Sequence, residues 1–243
     1  MPRIRRCLLA ALVTSTIVTA GCAGFGDGID VPEGIPPGPG APLPPIDIDA
    51  PGRSATQLSA WATEQSDAHD IPVIALEAYG YAAAVLARSA PDCGIAWTTL
   101  AGIASVESKH GMHGRSTVLP DGRVDPPIRG AALDGSPGIA EIDDSDGGTL
   151  DGDTEHDRAI GPFQFIPETW RVWAADANGD GVLDPDNIDD AALTAARYLC
   201  ARGGNLRTAE GWQNALMAYN QSGSYLREVR HRAALYSVGA ELS

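Results

Sequence analysis

A mainly helical domain is the fold class this sequence predicts, on three observations. From Ser54 onward apolar residues recur at helical spacing. Capping residues and Gly or Pro punctuation sit at the ends of those periodic runs. No run alternates over a strand length, and no internal repeat is present.

Taken in chain order, Asp70 before Ile71-Pro72 reads as an N-cap with a first-turn proline. The helix it opens runs over 73–86, with Leu76, Tyr79, Ala83 and Leu86 on one stripe. The next helix, over 94–109, places Leu100, Ile103, Ala104 and Glu107 at i, i+3, i+4 and i+7 and should stop near Gly111. A long loop is expected over 120–157, with a short hairpin around Pro120-Asp121-Gly122. Between Asp134 and Asp157 it holds nine acidic residues and neither Lys nor Arg, so it is either functional or a solvated, disordered segment. Helices follow over 167–175, 191–202 (closed by Gly203-Gly204), 209–219 and 224–236.

The 243 residues carry a net charge of −15, the wrong sign for a nucleic-acid binder. With 44% hydrophobic residues the chain has material for a core and is not a disordered polyanion. Residues 1–21 fit an export signal, with Arg3, Arg5 and Arg6 before an apolar run from Cys7 to Val18. Thr19-Ala20-Gly21-Cys22 then resembles a lipobox, which implies cleavage before Cys22 and a lipid on it; an ordinary signal peptide is the alternative. Export of either kind removes three arginines and no acid from −15, leaving −18. Residues 22–53 hold a Pro/Gly-rich stretch with eight prolines and seven glycines, read as an extended tether reaching roughly 90 Å at ~3.1 Å per residue. The third segment, 54–243, is the globular domain. In an oxidising compartment Cys93 and Cys200 form either a disulfide or two buried free thiols.

Glu107 heads the chemical candidates because a carboxyl on an apolar face is desolvated, stays protonated near neutral pH and can act as a general acid. The alternative at this point is a structural glutamate paired with Arg158 or Lys109. Asp176-Ala177-Asn178-Gly179-Asp180-Gly181-Val182 supplies oxygen ligands at positions 1, 3 and 5, glycine at 6 and a carbonyl at 7, the start of an EF-hand calcium loop. Position 12 is Asn187 in place of the usual glutamate; Asp184 could act through water. A calcium-free turn rich in Asp and Asn is the alternative. His110, His113 and His156 lack zinc-ligand spacing with the cysteines, and Trp97, Trp170, Trp173 and Trp212 sit at helical positions typical of core residues.

Three blocks in order, Ser105-Val106-Glu107-Ser108-Lys109-His110-Gly111, Gly161-Pro162-Phe163-Gln164 and Ala218-Tyr219-Asn220-Gln221-Ser222 with Tyr225, resemble the lytic murein transglycosylases. The similarity is to the branch typified by membrane-bound lytic transglycosylase B. It implies a lysozyme-like helical fold with an EF-hand-like loop, in which the acidic segment of this chain is a long loop insertion between the first and second blocks. It further implies Glu107 as the single catalytic acid/base, with Ser108, Phe163, Gln164, Tyr219, Asn220 and Tyr225 around the saccharide. The family's longer calcium loop closes at position 15, which makes Asp176, Asn178, Asp180, the Val182 carbonyl and Asp190 the expected ligands. No organic cofactor is implied. The implied partners are peptidoglycan glycan strands and, through Cys22, the membrane; the protein would sit in the cell envelope facing the wall. A hydrolytic muramidase of the same fold, or an inactive calcium-binding wall lipoprotein, are the alternatives.

Overall fold

The computed structural model describes residues 33–240. A 3₁₀ turn (Ser54–Leu58) leads into α1 (Ser59–His69), α2 (Val73–Ser89) and α3 (Trp97–Ser108). Short strands β1 (Thr117–Val118), β2 (Val124–Asp125), β3 (Arg129–Ala132) and β4 (Arg158–Ile160) follow. The chain then returns to helix in α4 (Pro167–Trp173), α5 (Ile188–Gly203), α6 (Ala209–Tyr219) and α7 (Gly223–Ser237). The described part is therefore mainly helical. Its strands form only two antiparallel pairs, β1 with β2 and β3 with β4. The first pair is the hairpin expected around Pro120-Asp121-Gly122, registered Val118 to Val124.

The apolar periodicity becomes burial. Leu76 and Tyr79 of α2, Leu100 and Ile103 of α3, and Leu199 of α5 are fully buried in one core. Helix α3 lies chiefly against α7, α2 against α5, and α5 against α6. The expected disulfide forms between Cys93 and Cys200, whose Cα atoms are 5.4 Å apart, and it ties the α2–α3 connection to α5.

Three sequence expectations change. Asp70 does not open α2; it ends α1 in the left-handed conformation, φ 53°, and Pro72 is the residue before α2. The Pro/Gly stretch is no free tether where it is described. Residues 33–53 lie along the domain, with Trp97 Nε1 donating to the Ala41 carbonyl (3.0 Å), Thr98 Oγ1 to Gly38 (2.8 Å) and the Tyr81 hydroxyl to Ile48 (3.1 Å). Gly40 sits at φ +73°, where a Cβ would lie 2.6 Å from the Trp97 ring. A proline-rich chain has few backbone N–H groups to leave unpaired, so it can cover apolar helix surface while a few side-chain donors satisfy its carbonyls. Arg53 closes this strap: it donates to both Asp189 oxygens (2.7 and 2.9 Å) and to Glu77, joining the strap to α2 and α5. The signal segment, Cys22 and the start of the tether lie outside the described residues.

The acidic segment is organised rather than solvated coil. The Asp144 carboxylate accepts from the backbone N–H groups of Asp146, Gly147 and Gly148. Asp157, fully buried, accepts from Ser145 N (2.9 Å) and Oγ (2.8 Å). Isolated bridges pair Asp134 with Glu141 and Asp143 with His156, and Arg171 of α4 donates to the Ser145 carbonyl.

Candidate active site

Glu107 occupies the last turn of α3, where the helix ends abruptly. Lys109 and His110 both take positive φ, 52° and 61°, and their N–H groups donate to the Ser105 and Ala104 carbonyls of the final turn. Left-handed backbone at two successive side-chain-bearing residues is costly and needs support from the surroundings. Here the support is a buried imidazole: His110 lies between the hydroxyls of Tyr79 and Tyr236, each 3.1 Å from a ring nitrogen. Burial first, then Arg232 and His69, lowers its pKa to about 3, so the ring is neutral and acts as a clamp.

Burial pushes Glu107 the other way, from 4.5 up to about 7. The Tyr225 hydroxyl, which stabilises the charged form, offsets part of that rise. Among the described residues no Arg or Lys neutralises Glu107; Arg158 pairs instead with Asp153. No second carboxylate among the described residues contributes to its shift either. The result is one desolvated acid, isolated from other charge and poised to give up or take a proton near neutral pH.

The second block is fastened to the first. Ser108 Oγ donates to the Pro162 carbonyl (2.6 Å) and accepts from Gly111 N (2.8 Å). From the other side the Tyr219 hydroxyl donates to the Phe163 carbonyl (2.6 Å). Gln164 takes φ 50°, and its Nε2 donates back to the Gly161 carbonyl (2.8 Å). Gly161 is required sterically: a Cβ there would fall 1.9 Å from the Pro185 carbonyl. The third block closes the group through Tyr219 and Tyr225, whose rings stack at 6.4 Å and 9°. Burial and the Glu107 charge hold both phenols well above their ordinary pKa, so both keep their protons.

The structure thus gathers Glu107, the 161–164 turn, Tyr219 and Tyr225, but it gives their neighbours other work. Ser108 and Phe163, expected at the saccharide, are fully buried, and Phe163 packs edge-on against Tyr79 at 5.9 Å. They position the turn, and sugar does not reach either side chain without opening the core. Asn220 is exposed at the end of α6, where its Oδ1 accepts from Ser222 N (3.1 Å).

The loop expected to hold calcium leads into α5. Asp176 accepts from Gly179 N (2.7 Å) and Gly181 N (2.9 Å), and Asp180 from Val182 N (2.8 Å). Asp190 is fully buried and accepts from Ala177 N (2.7 Å) and Asp184 N (3.0 Å). Burial, together with Asp176, raises its pKa to about 7. A buried carboxyl beside another acid, in an all-oxygen donor set, suits a hard cation. Among the described residues, however, the three acids whose oxygens converge within 4.8 Å are Asp144, Asp146 and Asp157 of the acidic segment. Sequence spacing did not single these out, because Asp157 reaches Asp144 only when the segment folds back on itself.

The fold and site define a helical domain built around one desolvated acid at a helix end. Residues 156–216, about a quarter of the chain, match the family model described as Transglycosylase SLT domain. The match runs from the end of the acidic segment through the 161–164 turn, α4, the 176–190 loop and α5 into α6. Glu107 lies outside it. No curated protein and no solved structure matches.

Proposed function

We propose that this protein is a peptidoglycan lytic transglycosylase of the membrane-bound lytic transglycosylase B type, with Glu107 as its single acid/base. The observation that carries this reading is the isolation of Glu107: its pKa is raised by burial, to about 7, with no second carboxylate acting on it. Glycosidases that hydrolyse through water or a covalent intermediate need a partner carboxylate at a set separation. A reaction in which the substrate supplies its own nucleophile does not. Protonated Glu107 gives its proton to the glycosidic oxygen between MurNAc and GlcNAc, and the C1–O bond breaks. The resulting carboxylate takes the proton of the MurNAc C6 hydroxyl as O6 bonds to C1. The products are a 1,6-anhydroMurNAc end and a free GlcNAc 4-hydroxyl, with Glu107 again protonated. Tyr225 stabilises the carboxylate form between the two steps, and Gln164 presents its amide from the fixed turn.

Calcium belongs to the same proposal, held by Asp176, Asn178, Asp180, the Val182 carbonyl and Asp190. It would neutralise the loop's carboxylates and brace the segment whose Pro185 carbonyl packs on Gly161. Export, and lipid attachment at Cys22, would put the enzyme in the cell envelope. The test is digestion of purified peptidoglycan followed by mass spectrometry. Wild-type protein should release 1,6-anhydroMurNAc ends and Glu107→Gln should release none. Products heavier by one water would instead assign a muramidase.

A further inference from the structure

Of the four tryptophans placed on helices by the sequence, Trp97, Trp170 and Trp212 are buried core residues, but Trp173 is partly exposed at the end of α4. Its ring meets Tyr198 of α5 edge-on at 5.6 Å, and Tyr198 meets Tyr219 at 5.9 Å. Partly exposed aromatic rings therefore continue without a break from the Glu107 tyrosines across α6 and α5 to α4. The Tyr198 hydroxyl is fixed on the Ala218 carbonyl (2.8 Å), which holds the middle ring in place. The exposed Arg202 guanidinium lies over the Tyr198 and Trp173 rings, 5.1 Å and 5.7 Å from their centroids. Arg197 beside it donates only to the Trp173 and Ala174 carbonyls (3.1 and 3.0 Å). Neither guanidinium has a carboxylate partner among the described residues, in a chain of net charge −15. Trp173 and Arg197 also line a cavity of about 600 Å³ together with Asp92, Cys93 and Cys200.

We propose that Trp173, Tyr198, Arg202 and Arg197 form a distal subsite for the polymeric substrate, outside the bond-cleaving site. Its ligand is an N-acetylated glycan strand bearing acidic stems. Pyranose rings have apolar faces that pack on aromatic rings, and the two unpaired guanidiniums suit the carboxylates that such a strand carries. The proposal rests on the peptidoglycan reading above. The subsite adds affinity for long strands without touching the scissile bond, and it supplies local positive charge where the molecule as a whole repels an anionic wall.

The experiment measures co-sedimentation of the Glu107→Gln protein with purified peptidoglycan sacculi, in parallel with KM for sacculi and for short soluble muropeptide oligomers using active protein. Trp173→Ala and Arg202→Glu should each weaken sedimentation and raise KM for sacculi about 3- to 10-fold, while kcat and turnover of the short oligomers stay unchanged. The Arg202→Glu loss should shrink as salt rises, and the Trp173→Ala loss should not. Arg202→Glu, at an exposed position, keeps the test open if Trp173→Ala fails to fold. Equal binding and equal KM in folded variants of an active enzyme would overturn the subsite alone. Wild-type protein that releases no glycan product from sacculi would instead overturn the transglycosylase reading.

Discussion

Replacing Glu107 with Gln should make the protein more stable, by an amount set by pH. The carboxyl titrates near 4.5 when unfolded and at about 7 in the fold. Because the folded value is the higher one, the native state holds its proton more tightly. That stabilisation is complete below pH 4.5 and is lost as pH rises toward and through 7. Gln has no such proton, so the stability difference between variant and wild type isolates this one group. Linkage gives a relative gain for Glu107→Gln of about 2 kcal/mol at pH 6 and about 3 kcal/mol at pH 8, with no pH-dependent part below pH 4. These are upper values, since the side chain is not wholly removed from solvent. Urea unfolding of both proteins from pH 4 to 8 measures the difference directly. A gap that stays constant over that range would mean Glu107 is not desolvated, and would remove the physical basis for the general-acid role proposed for it. The same titration should shut down activity on the alkaline side, because a deprotonated Glu107 cannot protonate the leaving oxygen.

Tyr225→Phe removes the hydroxyl that favours the Glu107 carboxylate, so the pKa of Glu107 should rise further and the alkaline limb of the pH–rate profile should move upward; an unmoved limb would separate Tyr225 from the acid. Calcium chelation should lower the Tm of wild-type protein and leave Asp190→Asn little changed, measured by calorimetry with and without chelator; identical Tm values for the wild type in both conditions would argue for a metal-free loop. Gly40→Ala should cost about 1–3 kcal/mol in urea unfolding, because it puts a Cβ at a positive φ and against Trp97. A neutral result would show that the strap binds the domain only loosely.

Local pattern in the chain specifies the helices and makes Glu107 the chemical candidate. Six of the seven α-helices among the described residues follow the spacing of apolar residues to within a few residues, and Glu107 stands out as a carboxyl on a stripe shared with Leu100, Ile103 and Ala104. The Cys93–Cys200 pairing was one of two readings until the fold brought the two Cα atoms within 5.4 Å of each other. An aspartate before Ile-Pro reads alike as the start of one helix or the end of another, and only the direction of the incoming chain makes Asp70 the end of α1.

What tertiary structure alone decided were contacts between residues far apart in sequence. The strap reads as a linker because its composition is that of a linker, and only the facing surface of Trp97, Thr98 and Tyr81 shows it to be part of the domain. Ser108 and Phe163 carry motif positions that imply sugar contact, yet their buried side chains fasten α3 to the 161–164 turn. Pro185 pressing on Gly161 links the 176–190 loop to that turn, a coupling no periodicity encodes. Helical repeat is a short-range property of the chain, whereas the environment around Glu107 draws on α3, α6 and α7 and exists only once they pack together.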